Sequence, residues 1–147
     1  ALISFMILSI GMLGIASLQA VSLKAGKTSV YGSVAMMKVD ELLESMRANS
    51  SALSTYAGGG ASIGCTGTMV CSDVQLAQDD VYWCKQNLQA GLPSAATTAV
   101  TVTPPVAPSN MATVQVDIAW KERSKDAAGS VDKTYSTIAY ICTAIPC

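Results

Sequence analysis

Residues 1–23 read ALISFMILSIGMLGIASLQAVSL, a stretch that contains no Asp, Glu, Lys or Arg. Its polar side chains are four serines and Gln19. As a helix that rises about 1.5 Å per residue it would reach roughly 35 Å, enough to cross a hydrocarbon core of about 30 Å. A buried core helix fits poorly, because a small domain rarely covers a helix that is apolar all round. A cleaved signal peptide also fits poorly, because no cleavage site or break in composition follows. We therefore predict a membrane-spanning segment over residues 1–23 and one small domain over residues 24–147.

The helical period continues beyond this apolar stretch. Residues 31, 35, 39, 42 and 46 are apolar and follow one another in steps of three and four, which places them on one helix face. The pattern predicts one helix to about residue 48, roughly 72 Å long at about 1.5 Å per residue. The glycines at positions 11, 14, 26 and 32 leave a split helix open as an alternative. Within that alternative, local unwinding near Gly11 and Gly14 is favoured over a full break. In lipid these two residues could also pack closely against neighbouring helices.

Composition argues against several classes of function. Nine basic and ten acidic residues give a net charge of −1, so there is no basic surface of the kind that binds nucleic acid. Histidine is absent, which removes imidazole bases, Ser-His and Cys-His pairs and most transition-metal sites. A thiol–disulfide catalyst would need a CxxC motif, which the chain lacks. We expect no enzymatic activity, no cofactor, no metal site and no nucleic-acid partner.

The five cysteines indicate disulfides in an exported domain. Cys65 and Cys71 bracket a short loop that one disulfide could close, with two free thiols as the alternative. Cys142 and Cys147 are close enough in sequence to bond, although a Cys84–Cys147 pair stays open. Cys84 is either a buried thiol or a third half-cystine. With five cysteines, one remains unpaired or pairs between chains.

The remaining sequence predicts a loop, a second helix and a small sheet. Residues 50–71 read as a loop because Asn-Ser-Ser and three consecutive glycines oppose helix continuation. Ser72 and Gln75 have capping-box spacing, so a second helix should begin there and end at Gly91. Its buried face should carry Val74, Ala77, Val81, Cys84 and Leu88.

Beyond residue 94 the apolar period falls to two. Residues 97–103 are rich in β-branched side chains, and residues 112–120 alternate apolar with polar side chains. A charged turn over residues 121–133 precedes a last strand over residues 134–143. These segments predict an antiparallel sheet of about three strands, with one face of the middle strand buried on the long helix.

Four segments together resemble a known family: LISFMILSIGMLGIASLQ near the start, ELLESMRAN at the end of the long helix, CSDVQLAQDDVYWC at the second helix, and WKER. They resemble the type IV pilins, in particular the PilV family of minor pilins, over nearly the whole chain. The resemblance implies an α+β pilin fold, in which the long helix is half membrane or filament core and half packed on an antiparallel sheet. It implies a subunit that helps prime pilus assembly and sits in the tip complex, supporting adhesion and twitching motility.

The resemblance also implies partners and locations. The partners are other minor pilins and the major pilin, a large tip adhesin, the inner-membrane assembly platform and membrane lipid. The chain would sit in the inner membrane with a periplasmic head before assembly and in the surface pilus afterwards. The helix-packing residues in both settings should be Leu2, Phe5, Ile10, Gly11, Leu13 and Gly14.

The closest alternative is a minor pseudopilin of type II secretion. A calcium-binding Asp cluster in the last loop would favour it, and only Asp126 and Asp132 lie near there. The family pattern also has a methylated first residue and a glutamate just before the position of Ala1. We therefore expect the sequence to be an incomplete mature protein.

Overall fold

The computed structural model describes residues 2–67, 69–93, 96–123 and 129–147. The protein has the predicted α+β fold, in which a long N-terminal helix packs on a three-stranded antiparallel sheet. In chain order its elements are α1 (Leu2–Ala48), a short 3-10 turn (Ser50–Ala52), α2 (Leu53–Tyr56), α3 (Asp73–Gly91), β1 (Thr97–Thr103), β2 (Met111–Arg123) and β3 (Ser130–Cys142).

Helix α1 is continuous from residue 2 to residue 48. The four glycines that could have split it are all helical, so the alternative of a broken helix is wrong. The local unwinding at Gly11 and Gly14 that this alternative favoured is also absent, and the helix is continuous as predicted. Each glycine costs about 0.5–1 kcal/mol relative to alanine, which does not break a helix of 47 residues. The helix ends at Ala48, and the amide of Asn49 still donates to the carbonyl of Ser45 at 3.0 Å.

The chain divides into two compact units, Ala1–Ser33 and Val34–Cys147. In the second unit the core includes apolar side chains from α1, α3 and the inner face of the sheet. The predicted packing face of α1 is buried from Ala35 onward, and Tyr31 is half-buried. Each large apolar side chain that is fully buried contributes about 1.5–3 kcal/mol to folding. Those with less than 2% exposure are Met46, Val39, Val81, Leu88, Val114, Val116, Ile118 and the aromatic Tyr56.

The sheet has the order β1-β2-β3, with both neighbouring pairs antiparallel. Thr97 pairs with Ala119 at one end of β1 and Thr103 with Thr113 at the other. Strand β2 buries every second residue, as its alternation predicted. These residues are Ala112, Val114, Val116, Ile118 and Trp120.

Strands β2 and β3 extend further into the charged connection than predicted. Lys121, Glu122 and Arg123 belong to β2, and β3 begins at Ser130 rather than at residue 134. Lys121 lies opposite Asp132, and their charged groups are 3.6 Å apart. Opposite charges on facing strands favour pairing by about 0.2–1 kcal/mol, so this pair contributes to the continued ladder. The middle of the predicted turn, residues 124–128, lies outside the described residues.

Two other local predictions were wrong. Residues 50–56 are not loop, because the 3-10 turn and α2 bury Ala52, Leu53 and Tyr56. Val74 is 49% exposed, although it has the spacing of the buried face of α3. The reason is position: the start of α3 lies at the end of α1, where the Asn49 amide nitrogen donates to the Asp73 carbonyl at 2.7 Å. Helix α1 covers the later turns of α3 but has already ended at the level of Val74.

Candidate functional site

The first candidate site is the apolar surface of α1 within the unit Ala1–Ser33. The predicted packing residues Phe5, Ile10 and Leu13 are 75%, 71% and 72% exposed. The side chain of Leu2 lies outside the described part of the structure. A Cβ atom added at Gly11 or Gly14 would meet no heavy atom within 4 Å, so both positions are open to a neighbour.

Two serines of this segment, Ser9 and Ser17, satisfy their hydroxyl groups within the helix. Ser9 donates from its Oγ to the carbonyl of Phe5, and Ser17 donates to that of Gly14, each at 2.8 Å. A hydroxyl bonded to its own backbone adds little polarity to the outer surface. Helix α1 contains an 18-residue window with a mean hydropathy of 1.9, none of it buried, and is long and apolar enough to span a membrane. This surface is compatible with a single-pass membrane anchor.

The second candidate site is the loop that carries the first cysteine pair. Cys65 and Cys71 lie at disulfide distance, with their Cα atoms 5.9 Å apart. The loop before them is bonded to α3: the amide of Ala61 donates to the carbonyl of Gln78 at 3.0 Å, and Lys85 Nζ donates to the carbonyl of Gly59 at 2.7 Å. The loop therefore has a defined path along α3.

Asp79 is the centre of this attachment. The residue is only 4% exposed, and its carboxylate accepts three backbone hydrogen bonds, from Ile63 at 2.8 Å, Gly64 at 2.9 Å and Cys65 at 3.2 Å. The bond from Gly64, followed by those from Ile63 and Cys65, lowers the pKa of Asp79 against the opposing effect of burial. An ionised carboxylate is stabilised when several amides point at it. Asp79 is thus a buried charge that holds the loop.

Asp80, the next residue, has a different environment. The hydroxyl of Tyr56 donates to its Oδ2 at 2.8 Å and also lies 3.3 Å from the carbonyl of Ser45. Burial raises the pKa of Asp80, although the bond from Tyr56 acts in the opposite direction. Burial is also the main cause that raises the pKa of Tyr56. The pair joins α2 to α3 next to the end of α1.

A cavity of about 70 Å³ lies between α1 and α3. Cys84 lies at this cavity as a free, buried thiol, with its sulfur 3.9 Å from the carbonyl of Lys38. Burial raises the pKa of the Cys84 thiol to about 11, so the group is protonated at neutral pH. The cavity is far below the roughly 300–1,000 Å³ of ordinary ligand pockets. Its lining residues are Lys38, Glu41, Leu42, Ser45, Asp80, Trp83 and Cys84.

The third candidate site is the loop at the second cysteine pair. Cys142 and Cys147 lie at disulfide distance, again with their Cα atoms 5.9 Å apart. Asn110, in the connection between β1 and β2, accepts from the amide of Thr143 at 2.9 Å and donates from its side chain to the carbonyl of Pro146 at 2.7 Å. Two loops distant in sequence are thereby fixed to each other.

Sequence reasoning missed the residues whose side chains bond across the fold. Asp79, Tyr56 and Asn110 each bond to atoms 14 or more positions away, so no short motif marks them. One feature of the sequence did point to Asp79. It lies between Ala77 and Val81 of the buried face, and a carboxylate so close to that face needs hydrogen-bond donors around it.

In the part of the chain that the structure describes, no group of three or more His, Cys, Asp or Glu side chains could hold a metal ion. Asp126, which bears on the pseudopilin alternative, lies outside that part. Searches against protein-family models, curated proteins and solved structures found no significant match to this chain.

Proposed function

We propose that this chain is a structural subunit of a type IV pilin-like filament, a minor pilin of the PilV kind, that enters the filament from a membrane. One observation carries the proposal. A single unbroken helix has an exposed apolar surface in its first part, while its last part belongs to a compact unit with an antiparallel sheet. The fold has the pilin-like arrangement that the sequence predicted.

The physical role follows from the exposed part of α1. Side chains such as Phe5 and Leu13 contact lipid before assembly and neighbouring helices afterwards, so that no large apolar surface meets water at either stage. Gly11 and Gly14 let a neighbouring helix approach closely, because neither has a side chain that would keep it away. The partners on this surface are the major pilin and other minor pilins.

The second unit faces the periplasm before assembly and the filament surface or tip afterwards. Two cysteine pairs at disulfide distance suit that oxidising compartment. The tip adhesin and the inner-membrane assembly platform complete the set of proposed partners. The function is structural: the subunit primes assembly of the pilus, and adhesion and twitching depend on it indirectly.

The test is deletion of the gene in its source cell, in a background in which pili cannot retract. Surface filaments are counted by electron microscopy, and secreted enzyme activity is measured in the same cultures. Loss of filaments with normal secretion supports the minor pilin. Intact filaments with failed secretion would favour a pseudopilin of type II secretion, and no change in either would refute both. Restoration of filaments by the wild-type gene on a plasmid is the control for polar effects.

A further inference from the structure

One buried carboxylate is bonded to three consecutive amides of the segment that leads into a disulfide. Asp79 Oδ1 accepts from Ile63 and Gly64, and its Oδ2 accepts from Cys65, the first half-cystine of the loop. The Cys65–Cys71 pair therefore starts at a residue whose backbone is bonded directly to α3. An ionised acceptor makes stronger hydrogen bonds than a neutral one, so the carboxylate of Asp79 holds these three amides firmly.

A competing thiol lies on the same helix. Cys84 is five positions after Asp79 in α3, and Cys65, Cys71 and Cys84 allow three different pairings. In the folded structure Cys84 is 8% exposed and its sulfur lies at a carbonyl of α1, away from oxidants in solvent. Before α1 has packed on α3, that protection is absent. Selection of the correct pair then depends on what positions Cys65.

We propose that Asp79 is a positioning residue for oxidative folding: its carboxylate holds Cys65 beside Cys71 and so selects that pairing over pairings with Cys84. The inference does not depend on the pilus function. The oxidant is a disulfide such as oxidised glutathione. The thiolate of Cys65 or Cys71 attacks it to form a mixed disulfide, and one glutathione thiolate leaves. The other cysteine thiolate then attacks the protein sulfur, so that the Cys65–Cys71 bond forms and the second glutathione thiolate leaves. Two protein thiols thus give up two electrons and two protons, and one glutathione disulfide becomes two thiols.

The variant Asp79→Asn tests this arrangement. Asparagine keeps one oxygen acceptor but is neutral, and its NH₂ group cannot accept the amide of Cys65. The full chain in detergent micelles is equilibrated in glutathione buffers, free thiols are alkylated, and the linked peptides are mapped. The effective concentration of the Cys65–Cys71 pair should fall about 10- to 100-fold, the effect of losing one charge-assisted hydrogen bond. Peptides that link Cys84 to Cys65 or Cys71 should appear during refolding.

Three controls separate positioning from general loss of structure. Asp80→Asn changes a neighbouring carboxylate that bonds to Tyr56 instead of the loop, and should leave the Cys65–Cys71 equilibrium within twofold of wild type. The Cys142–Cys147 pair is an internal reference in every variant, since global unfolding would weaken both pairs together. Asp79→Glu keeps the negative charge, so its effective concentration for the Cys65–Cys71 pair should lie between those of Asp79→Asn and wild type.

Two outcomes would overturn the proposal. One is an Asp79→Asn protein whose Cys65–Cys71 equilibrium and linkage map match those of wild type. The other is an equal fall at both cysteine pairs, which would mean that Asp79 only supports the fold. If Asp79→Asn does not fold, the reciprocal measurement remains: by linkage, Cys65→Ser with Cys71→Ser should raise the pKa of Asp79, measured by NMR titration. An unchanged Asp79 titration in that double variant would also reject the coupling.

Discussion

Removal of the Tyr56 hydroxyl should destabilise the second unit measurably. The ring of Tyr56 is fully buried, and its hydroxyl donates to Asp80 Oδ2 at 2.8 Å. The Tyr56→Phe variant keeps the buried ring and loses that one polar group. It also leaves the carboxylate of Asp80, which is half-buried, without this donor.

The size of the effect follows from the type of bond. A hydrogen bond to a charged group contributes about 1.5–3 kcal/mol, against about 1 kcal/mol for a neutral pair. We expect Tyr56→Phe to lower the free energy of unfolding by about 2 kcal/mol. At about 2–4 °C per kcal/mol for a chain of this size, the melting temperature should fall by about 4–8 °C.

The assay is urea unfolding of the full chain in detergent micelles, followed by the fluorescence of Trp83 and Trp120. Tyr140→Phe is a matched control, because Tyr140 is 64% exposed and should change stability by less than about 0.5 kcal/mol. A double-mutant cycle with Asp80→Asn should give a coupling energy of about 1 kcal/mol or more. A loss below about 0.5 kcal/mol in Tyr56→Phe, or additive single effects, would refute the reasoning.

Three further perturbations address the loop and the apolar helix. The difference in unfolding free energy between wild type and Asp79→Asn should have its full value above about pH 4. It should shrink as the pH falls through the lowered pKa of Asp79, because only the ionised carboxylate holds the loop. A difference that stays constant down to pH 2 in stepped urea titrations would contradict this. Gly60→Ala should cost about 1–3 kcal/mol, since Gly60 has φ +71° and its added Cβ would lie 2.7 Å from a backbone nitrogen of α3. Gly59→Ala, with open space around it, is the control, and equal melting temperatures of the two variants would reject the strain argument. In the source cell, Gly11→Leu with Gly14→Leu should reduce incorporation into pili, and normal amounts in immunoblots of sheared filaments would count against it.

The regular elements could be predicted because their signals are local. The alternation in residues 112–120 and the steps of three and four between Ala35 and Met46 both depend on neighbours a few positions away. The structure buries these faces as the patterns indicated. The ends of β2 and β3 were not predictable in the same way. Charged residues in one strand predict a turn, and only the partner strand reveals that Lys121 pairs with Asp132.

The candidate site was less accessible to sequence reasoning. The spacing of Cys65 and Cys71 indicated a closed loop, but not what attaches the loop to the rest of the unit. Asp79 lies 14 to 16 positions from the amides that it binds, and the same residue in a different tertiary setting would be an ordinary helix aspartate. Its function as an anchor depends on the return of the loop along α3, which no short motif encodes.

The two cysteine pairs shape loops and do not hold the core together. Their sequence separations are six and five residues, and in the chain-entropy account a bond that closes so short a loop contributes only about 2–3 kcal/mol. The apolar core contains no half-cystine among its buried residues: Cys84 is the buried cysteine, and it is a free thiol. Reduction should therefore leave the packing of α1 on the sheet intact while it frees the two short segments that the cysteine pairs close, between Cys65 and Cys71 and between Cys142 and Cys147. An oxidising environment therefore acts on this protein mainly through the conformation of these two loops, and not through the core.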